Sequence, residues 1–221
     1  MISSLVFDLD GTLADTIGDI AASMNRALAG RGFPVLPDSA YPALVGWGIR
    51  RLAFLALSPE ARDDATVDAV AADALRFYAM EPAQRTTPYP GILGLVAELR
   101  RQGLSLAVLT NKPDPVARRV VDALFPGGSF ALVRGDLAGA PKKPDPALTR
   151  GVLKEFGAEP ASTLFVGDSA VDVATAHGVG SSVVGVSWGF RGPAELREAG
   201  ADWVIERAEE VLEILEESRQ P

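Results

Sequence analysis

The chain has 221 residues, 48% hydrophobic and 23% charged, an ordinary globular composition long enough for one large domain or a core with a smaller insert. Its net charge of −8, with no Lys/Arg-rich run, argues against a nucleic-acid surface, although a local cation site could still hold a small phosphorylated ligand. The absence of cysteine excludes disulfides, thiolate catalysis and Cys-ligated metals, and a single histidine, His177, offers no multi-His zinc site or His-based triad.

In chain order, Leu5-Val6-Phe7 reads as a strand buried on both faces, because the apolar residues run without polar alternation. Asp8-Leu9-Asp10-Gly11-Thr12 breaks it and leaves two carboxylates at its C-terminal end, where parallel α/β sheets gather ligands. Acids this close raise one another's pKa unless a cation lies between them, so the pair suggests a divalent-metal site, an oxygen nucleophile, or both. A helix-entry turn capped by Asp10 or Thr12 is the plainer alternative. Residues 15–32 read as a helix with Ile20, Met24, Ala27 and Leu28 on one face. His177 lies in a later helix-like run ending at Gly178, which gives it a C-terminal cap role. Pro34, Pro37 and Pro42 punctuate a loop; a second helix is expected over 43–57 and a third after Pro59. No strand is expected between positions 15 and 85.

From Pro88 the pattern changes. Strand-like runs at 104–109, 130–133, 163–166, 182–186 and 203–205 alternate with helical segments near 92–99, 115–124, 146–156, 171–177 and 208–217. Such alternation predicts right-handed βαβ units and an α/β fold: a Rossmann-like parallel sheet with helices on both faces. The first strand must join that sheet across the helical stretch. The expected organisation is therefore a discontinuous core, residues 1–14 and 86–221, carrying an all-helical cap, residues 15–85.

Later strand ends carry matching polar groups. The run over 104–109 ends in Thr110-Asn111, a hydroxyl and a turn with amides available to an anion. The run over 163–166 ends in Gly167-Asp168-Ser169, with Asp172 four residues after Asp168; helix capping alone would also account for both acids. Between them lies Lys142-Lys143-Pro144, where the proline holds Lys143 extended or in a turn, and a solvated loop pair is the alternative. Asp-x-Asp, Thr, Lys and Asp…Asp are the parts phosphoryl transfer needs.

The pieces Phe7-Asp8-Leu9-Asp10-Gly11-Thr12-Leu13, Leu109-Thr110-Asn111-Lys112, Lys143-Pro144-Asp145-Pro146 and Gly167-Asp168-Ser169-Ala170-Val171-Asp172, in this order, resemble the haloacid dehalogenase-like hydrolase superfamily. With Val186-Ser187-Trp188-Gly189-Phe190, they look most like its phosphoglycolate phosphatase group. The resemblance implies a Mg²⁺-dependent phosphatase acting through an aspartyl-phosphate. In that reading Asp8 is the nucleophile and Asp10 the general acid and base. Thr110 and Lys143 hold phosphoryl oxygens, helped by amides near Gly11 and Asn111. Asp8, the Asp10 backbone carbonyl and Asp168 bind Mg²⁺, with Asp172 supporting directly or through water. The implied substrate is a small phosphorylated metabolite, first 2-phosphoglycolate, with pyrophosphate, sugar phosphates or a β-phosphoglucomutase-like transfer as alternatives.

Asp10 disfavours carbon–halogen cleavage, since the dehalogenases lack this second acid. A Schiff-base hydrolase is excluded because no lysine precedes Lys112. A receiver-like phospho-accepting module has the same residue types, but no helical insert after its first strand. Gly46-Trp47-Gly48-Ile49-Arg50-Arg51 is the expected substrate loop, with Gly46 in its turn and Arg50 or Arg51 pairing with a substrate carboxylate; a solvated helix start is the alternative. No run approaches the ~18 apolar residues of a membrane span, and no basic-then-apolar leader opens the chain. A cytoplasmic monomer or homodimer without nucleic-acid or membrane partners is expected.

Overall fold

A computed structural model of the chain describes residues 1–218. The strand Ser4–Phe7 (β1) lies at the centre of a six-stranded parallel sheet. The other strands are Ser105–Pro113 (β4), Leu132–Asp136 (β5), Thr163–Gly167 (β6), Ser182–Val186 (β7) and Trp203–Ile205 (β8). Their order is β5-β4-β1-β6-β7-β8. A separate antiparallel pair, Ala14–Asp15 (β2) with Thr87–Pro88 (β3), brackets the helical stretch.

Alternation along β1 explains why the sheet is covered on both sides. Leu5 and Phe7 enter one apolar core with the helices Ile92–Arg101 (α4), Asp114–Leu124 (α5) and Glu210–Glu217 (α9). Val6 enters the other, with Pro146–Phe156 (α6), Ala170–His177 (α7) and Pro193–Glu198 (α8). Successive side chains of a strand point to opposite faces, so an unbroken apolar run serves two cores at once.

Register then sets what the sheet presents at its C-terminal edge. Phe7 pairs with Val108 on one side and Val166 on the other. Asp8 and Asp168 therefore leave their strands within one residue of the same height, beside Thr110, which lies two residues beyond Val108 on β4. The Asp8 amide still donates to the Val166 carbonyl at 2.9 Å, fixing its backbone before the chain turns away.

Between β2 and β3 run the helices Ile17–Gly30 (α1), Ile49–Ala56 (α2) and Asp64–Met80 (α3). Both α1 and α2 pack on α3. Buried Asp19 of α1 accepts the Arg85 and Thr86 amides and the Thr86 hydroxyl, tying the first helix to the returning chain.

The structure departs from the sequence reading at boundaries. The expected helix over 43–57 begins only at Ile49, because Gly46 (φ 122°) and Gly48 (φ 84°) take left-handed conformations that interrupt it. A 3₁₀ turn, Asp38–Ala43, precedes that break. The strand expected from position 130 starts at Leu132, and the one ending at 109 continues to Pro113. Strand β2 lies where none was expected, and two-residue strands are too short to show a period. His177 ends α7, but Gly178 (φ −60°) is not left-handed; the positive φ falls at Gly180 (82°).

Phe7 is fully buried and meets Phe130 edge-on at 6.3 Å between ring centroids. Phe7→Ala is expected to cost about 3–5 kcal/mol of stability, read by urea denaturation; a cost under about 1 kcal/mol would contradict this packing.

Candidate active site

Carboxylate oxygens of Asp8, Asp168 and Asp172 lie within 4.8 Å of one another at the C-terminal edge of the sheet. Asp8 follows β1, Asp168 follows β6, and Asp172 stands in the first turn of α7. There Asp172 Oδ2 accepts the Ser169 amide and hydroxyl in a capping box, while Oδ1 faces inward to the Lys143 ammonium at 2.7 Å. One residue thus caps its helix and supplies an acid to the crevice. Lys143 Nζ also stands 3.0 Å from Asp8 Oδ1, and its side chain is only 4% exposed. That contact is an ion pair without hydrogen-bond geometry, so Asp8 Oδ1 is a buried oxygen lacking a donor.

Backbone closeness makes this crowding feasible. A Cβ at Gly11 (φ 83°) would fall 2.3 Å from Asp168 Oδ2, and one at Gly189 would fall 2.3 Å from the Asp168 Cβ. No larger residue fits at either place without moving Asp168. The Phe190 amide donates to Asp168 Oδ2 at 2.7 Å and fixes that carboxylate. Gly11's own amide is taken by the Ala14 carbonyl at 3.0 Å, so an anion-binding amide near Gly11 would come from a neighbouring residue of the turn.

Burial pushes the Asp8 carboxyl up to about 6, with Asp172 and Asp10 adding to the rise and Lys143 opposing it. Burial also holds Asp168 well above the usual carboxylate range, reinforced by Asp172 and Asp8. For Lys143 burial works against the charge, yet Asp172 and Asp8 more than offset it and keep the ammonium charged. Ionised together, three clustered carboxylates against one lysine would carry an excess of negative charge in a buried place, which is why Asp8 and Asp168 hold their protons more tightly. With an oxygen-only donor set and an orphaned Asp8 Oδ1, the cluster fits a hard divalent cation.

Asp10 stands apart from this cluster. Its Oδ1 accepts from Lys112 Nζ at 2.6 Å. Its side chain does not join the carboxylate triad, so an Asp10 contribution to a cation there would rest on its backbone carbonyl. The sequence reading quoted Lys112 within a motif but gave it no role. Its place two residues beyond Thr110 on one strand was the signal that could have found it.

Thr110 is buried, and its hydroxyl oxygen accepts the Lys112 amide at 3.3 Å, leaving the hydroxyl proton for another partner. The Asn111 side chain grips the Lys143 backbone twice, donating to its carbonyl (3.1 Å) and accepting from its amide (3.0 Å). The Lys143–Pro144 peptide is cis. Asn111 also donates to the Gly46 carbonyl at 3.0 Å, bringing the 44–48 loop against the crevice.

Above the acids lies a cavity whose far wall is apolar, formed by Ile20, Met24, Leu52 and Ala74 of the helical stretch. Gly46 lines it. Arg50 and Arg51 do not: Arg50 pairs with Asp64 and Asp68 at 2.6 Å each, and Arg51 lies over the Phe54 ring. Besides Lys112 and Lys143, the cavity is lined by Arg191, whose guanidinium donates to the Pro42 and Val45 carbonyls.

Comparison with known proteins agrees with this arrangement. The model of the haloacid dehalogenase-like hydrolase family matches residues 5–186. Phosphoglycolate phosphatase of Rhodospirillum rubrum is 37% identical over 196 residues, covering 86% of this chain and 81% of that protein. The plasmid-encoded phosphoglycolate phosphatase of Cupriavidus necator is 36% identical over 221 residues, 98% and 94% of the two chains. Among solved structures, one from Lactobacillus delbrueckii subsp. bulgaricus superimposes with a TM-score of 0.88 at 29% identity, over 96% of this chain and 98% of that one. CbbY from Rhodobacter sphaeroides, solved in complex with phosphate, gives a TM-score of 0.81 at 26% identity and covers 96% of each chain. A parallel sheet that collects four acids at one edge, and a family match spanning all of them, lead to one conclusion: the chain belongs to the haloacid dehalogenase-like hydrolases.

Proposed function

We propose that the chain is a Mg²⁺-dependent phosphatase of small phosphate monoesters, with 2-phosphoglycolate as its substrate. One observation carries this reading. Two acids two residues apart have been given opposite surroundings: Asp8 sits in a buried carboxylate triad with a lysine inside it, and Asp10 sits outside that triad on its own lysine. Such divergence is how one site obtains a nucleophile and a proton carrier from the same residue type. The choice of substrate is supported by the relatives of Rhodospirillum rubrum and Cupriavidus necator, both named phosphoglycolate phosphatase.

In the proposed reaction an Asp8 carboxylate oxygen attacks phosphorus, and the bond to glycolate oxygen breaks. Asp10 gives its proton to the departing alkoxide. Asp10 then takes a proton from water, whose oxygen attacks the aspartyl-phosphate and releases inorganic phosphate with Asp8 restored. Lys143 and the Thr110 hydroxyl hold equatorial phosphoryl oxygens as charge shifts onto the leaving group. Asp8, Asp168, Asp172 and the Asp10 carbonyl would hold Mg²⁺, which when bound neutralises phosphoryl charge and draws nucleophile and phosphate together. Residues 15–85 act as a cap over residues 1–14 and 86–221, closing the apolar wall over the ester and excluding water before chemistry. Among the described residues no helix is long and apolar enough to cross a membrane.

Asp8→Asn is expected to lower phosphate release by roughly a thousandfold or more with circular dichroism unchanged; near wild-type turnover would remove Asp8 as nucleophile. EDTA should abolish release and Mg²⁺ restore it, and a screen of phosphate monoesters should rank 2-phosphoglycolate first.

The raised Asp8 value adds a prediction about pH. An unfolded Asp8 loses its proton near 3.8, whereas the folded, metal-free chain keeps it up to about 6. The folded state therefore binds more protons between those values, and its stability falls as pH rises through that window. A cation that displaces the proton meets no competition above it. The rise in melting temperature caused by Mg²⁺ should thus be larger at pH 7.5 than at pH 5; an equal rise at both would contradict the assigned ligands.

A further inference from the structure

Lys112 is a buried ammonium that the proposed reaction does not use. Its side chain is 1% exposed, at the end of β4. Nζ donates to Asp10 Oδ1 at 2.6 Å and to the Tyr78 hydroxyl, and it lies 4.4 Å from the centre of the Tyr78 ring. Among the described residues no other group donates to the Asp10 carboxylate. Tyr78 is itself buried and belongs to α3, in the helical stretch. A lysine ammonium has three donors and a flexible four-carbon stem, so by itself it is a loose anchor. Here one donor is spent on Asp10, another on Tyr78, and the aromatic face closes a further side.

We infer that Lys112 is a positioning residue for Asp10, and that Tyr78 fixes Lys112 from the helical side. With Oδ1 engaged by Lys112, Oδ2 is the oxygen left to give a proton to the departing group and later take one from water. A carboxylate placed this way delivers its proton along one direction rather than sampling several rotamers, and misplacement by about 1 Å costs on the order of a hundredfold in such steps. The anchor also joins β4 to α3. The acid is therefore in place only when the helical stretch lies against the sheet, which couples proton delivery to a closed site. Water that enters an open site meets an Asp10 without its full anchor.

The inference rests on Asp10 acting as the general acid, and the experiment separates the two. Phenyl phosphate and 4-nitrophenyl phosphate are nearly equal in size and carry no carboxylate, but the phenoxide oxygen is the more basic and needs its proton. The kcat/KM of each ester is measured with saturating Mg²⁺ for wild type, Asp10→Asn, Lys112→Met, Lys112→Arg and Tyr78→Phe. Asp10→Asn should lose more on phenyl phosphate than on the nitro ester. Lys112→Met should repeat that asymmetry, shifting the ratio of the two by at least about tenfold, with partial recovery in Lys112→Arg. Tyr78→Phe keeps the ring and the ion pair, and should shift the ratio in the same direction by a smaller factor. If Asp10→Asn shows no asymmetry, the reading of Asp10 fails. If Asp10→Asn shows it while Lys112→Met loses both esters equally, or changes KM alone, the inference fails and Lys112 serves packing or binding. Should Lys112→Met not fold, Lys112→Arg and Tyr78→Phe decide: unchanged ratios in both overturn it.

Discussion

Four carboxylates stand within one buried crevice, and they cannot all be charged there without cations among them. Burial alone disfavours the ionised form, and each neighbouring acid disfavours it further. The chain answers with two lysines set at different depths. Lys143 enters between Asp8 and Asp172, and Lys112 takes Asp10. Removing either would leave an uncompensated buried charge, whose cost of about 3–5 kcal/mol is a sizeable part of a domain's stability. The lysines do not balance the sum: with its three acids ionised the triad would carry more negative charge than Lys143 offsets, and Asp8 Oδ1 makes no hydrogen bond. What a divalent cation would complete is thus already visible as a deficit in the protein.

Every other element serves to hold that deficit in place. The parallel register brings Asp8 and Asp168 off their strands at nearly one level, beside Thr110 of β4. Asn111 fixes the backbone that carries Lys143, and the capping box of α7 fixes Asp172. Gly11 and Gly189 leave the space that Asp168 occupies. These contacts would be expensive to maintain for packing alone, since a well-filled apolar crevice of the same volume is often more stable than buried charges. Their presence says that the arrangement is kept for what it can bind and move.

How much of this was readable in the sequence follows from the range of the forces involved. The β1 run, the alternation of strands with helices, and the acids that break strands at Asp8 and Asp168 are local patterns, so the layered sheet is legible in them. Boundaries failed where a competing local preference won: Gly46 and Gly48 cut a helix that apolar spacing alone would extend. Contacts across long separations were out of reach. Lys112 meets Asp10 across 102 positions, and Tyr78 across 34, and neither distance leaves a periodic trace. Arg50 was drawn toward substrate in the sequence reading because its partners could not be seen. Asp64 and Asp68 stand four apart on α3, share one face of that helix, and take the guanidinium outward.

The separation of Asp8 from Asp10 is the step on which a phosphatase reading turns, and neither residue type nor spacing produces it. Both are aspartates, and both leave the same strand end. The turn that follows, closed by the Leu13 and Ala14 amides on the Leu9 carbonyl, rotates the second carboxylate away from the first. Asp8 then falls among acids brought by β6 and α7, and Asp10 falls toward Lys112 and the helical stretch. A nucleophile is best held by the rigid sheet, where its attack line can be fixed. In the proposed reaction a proton carrier must face the departing group, on the side of the proposed cap. The chain therefore places each acid against a different element: Asp8 against the strands of the sheet, Asp10 through Lys112 against a helix of the proposed cap.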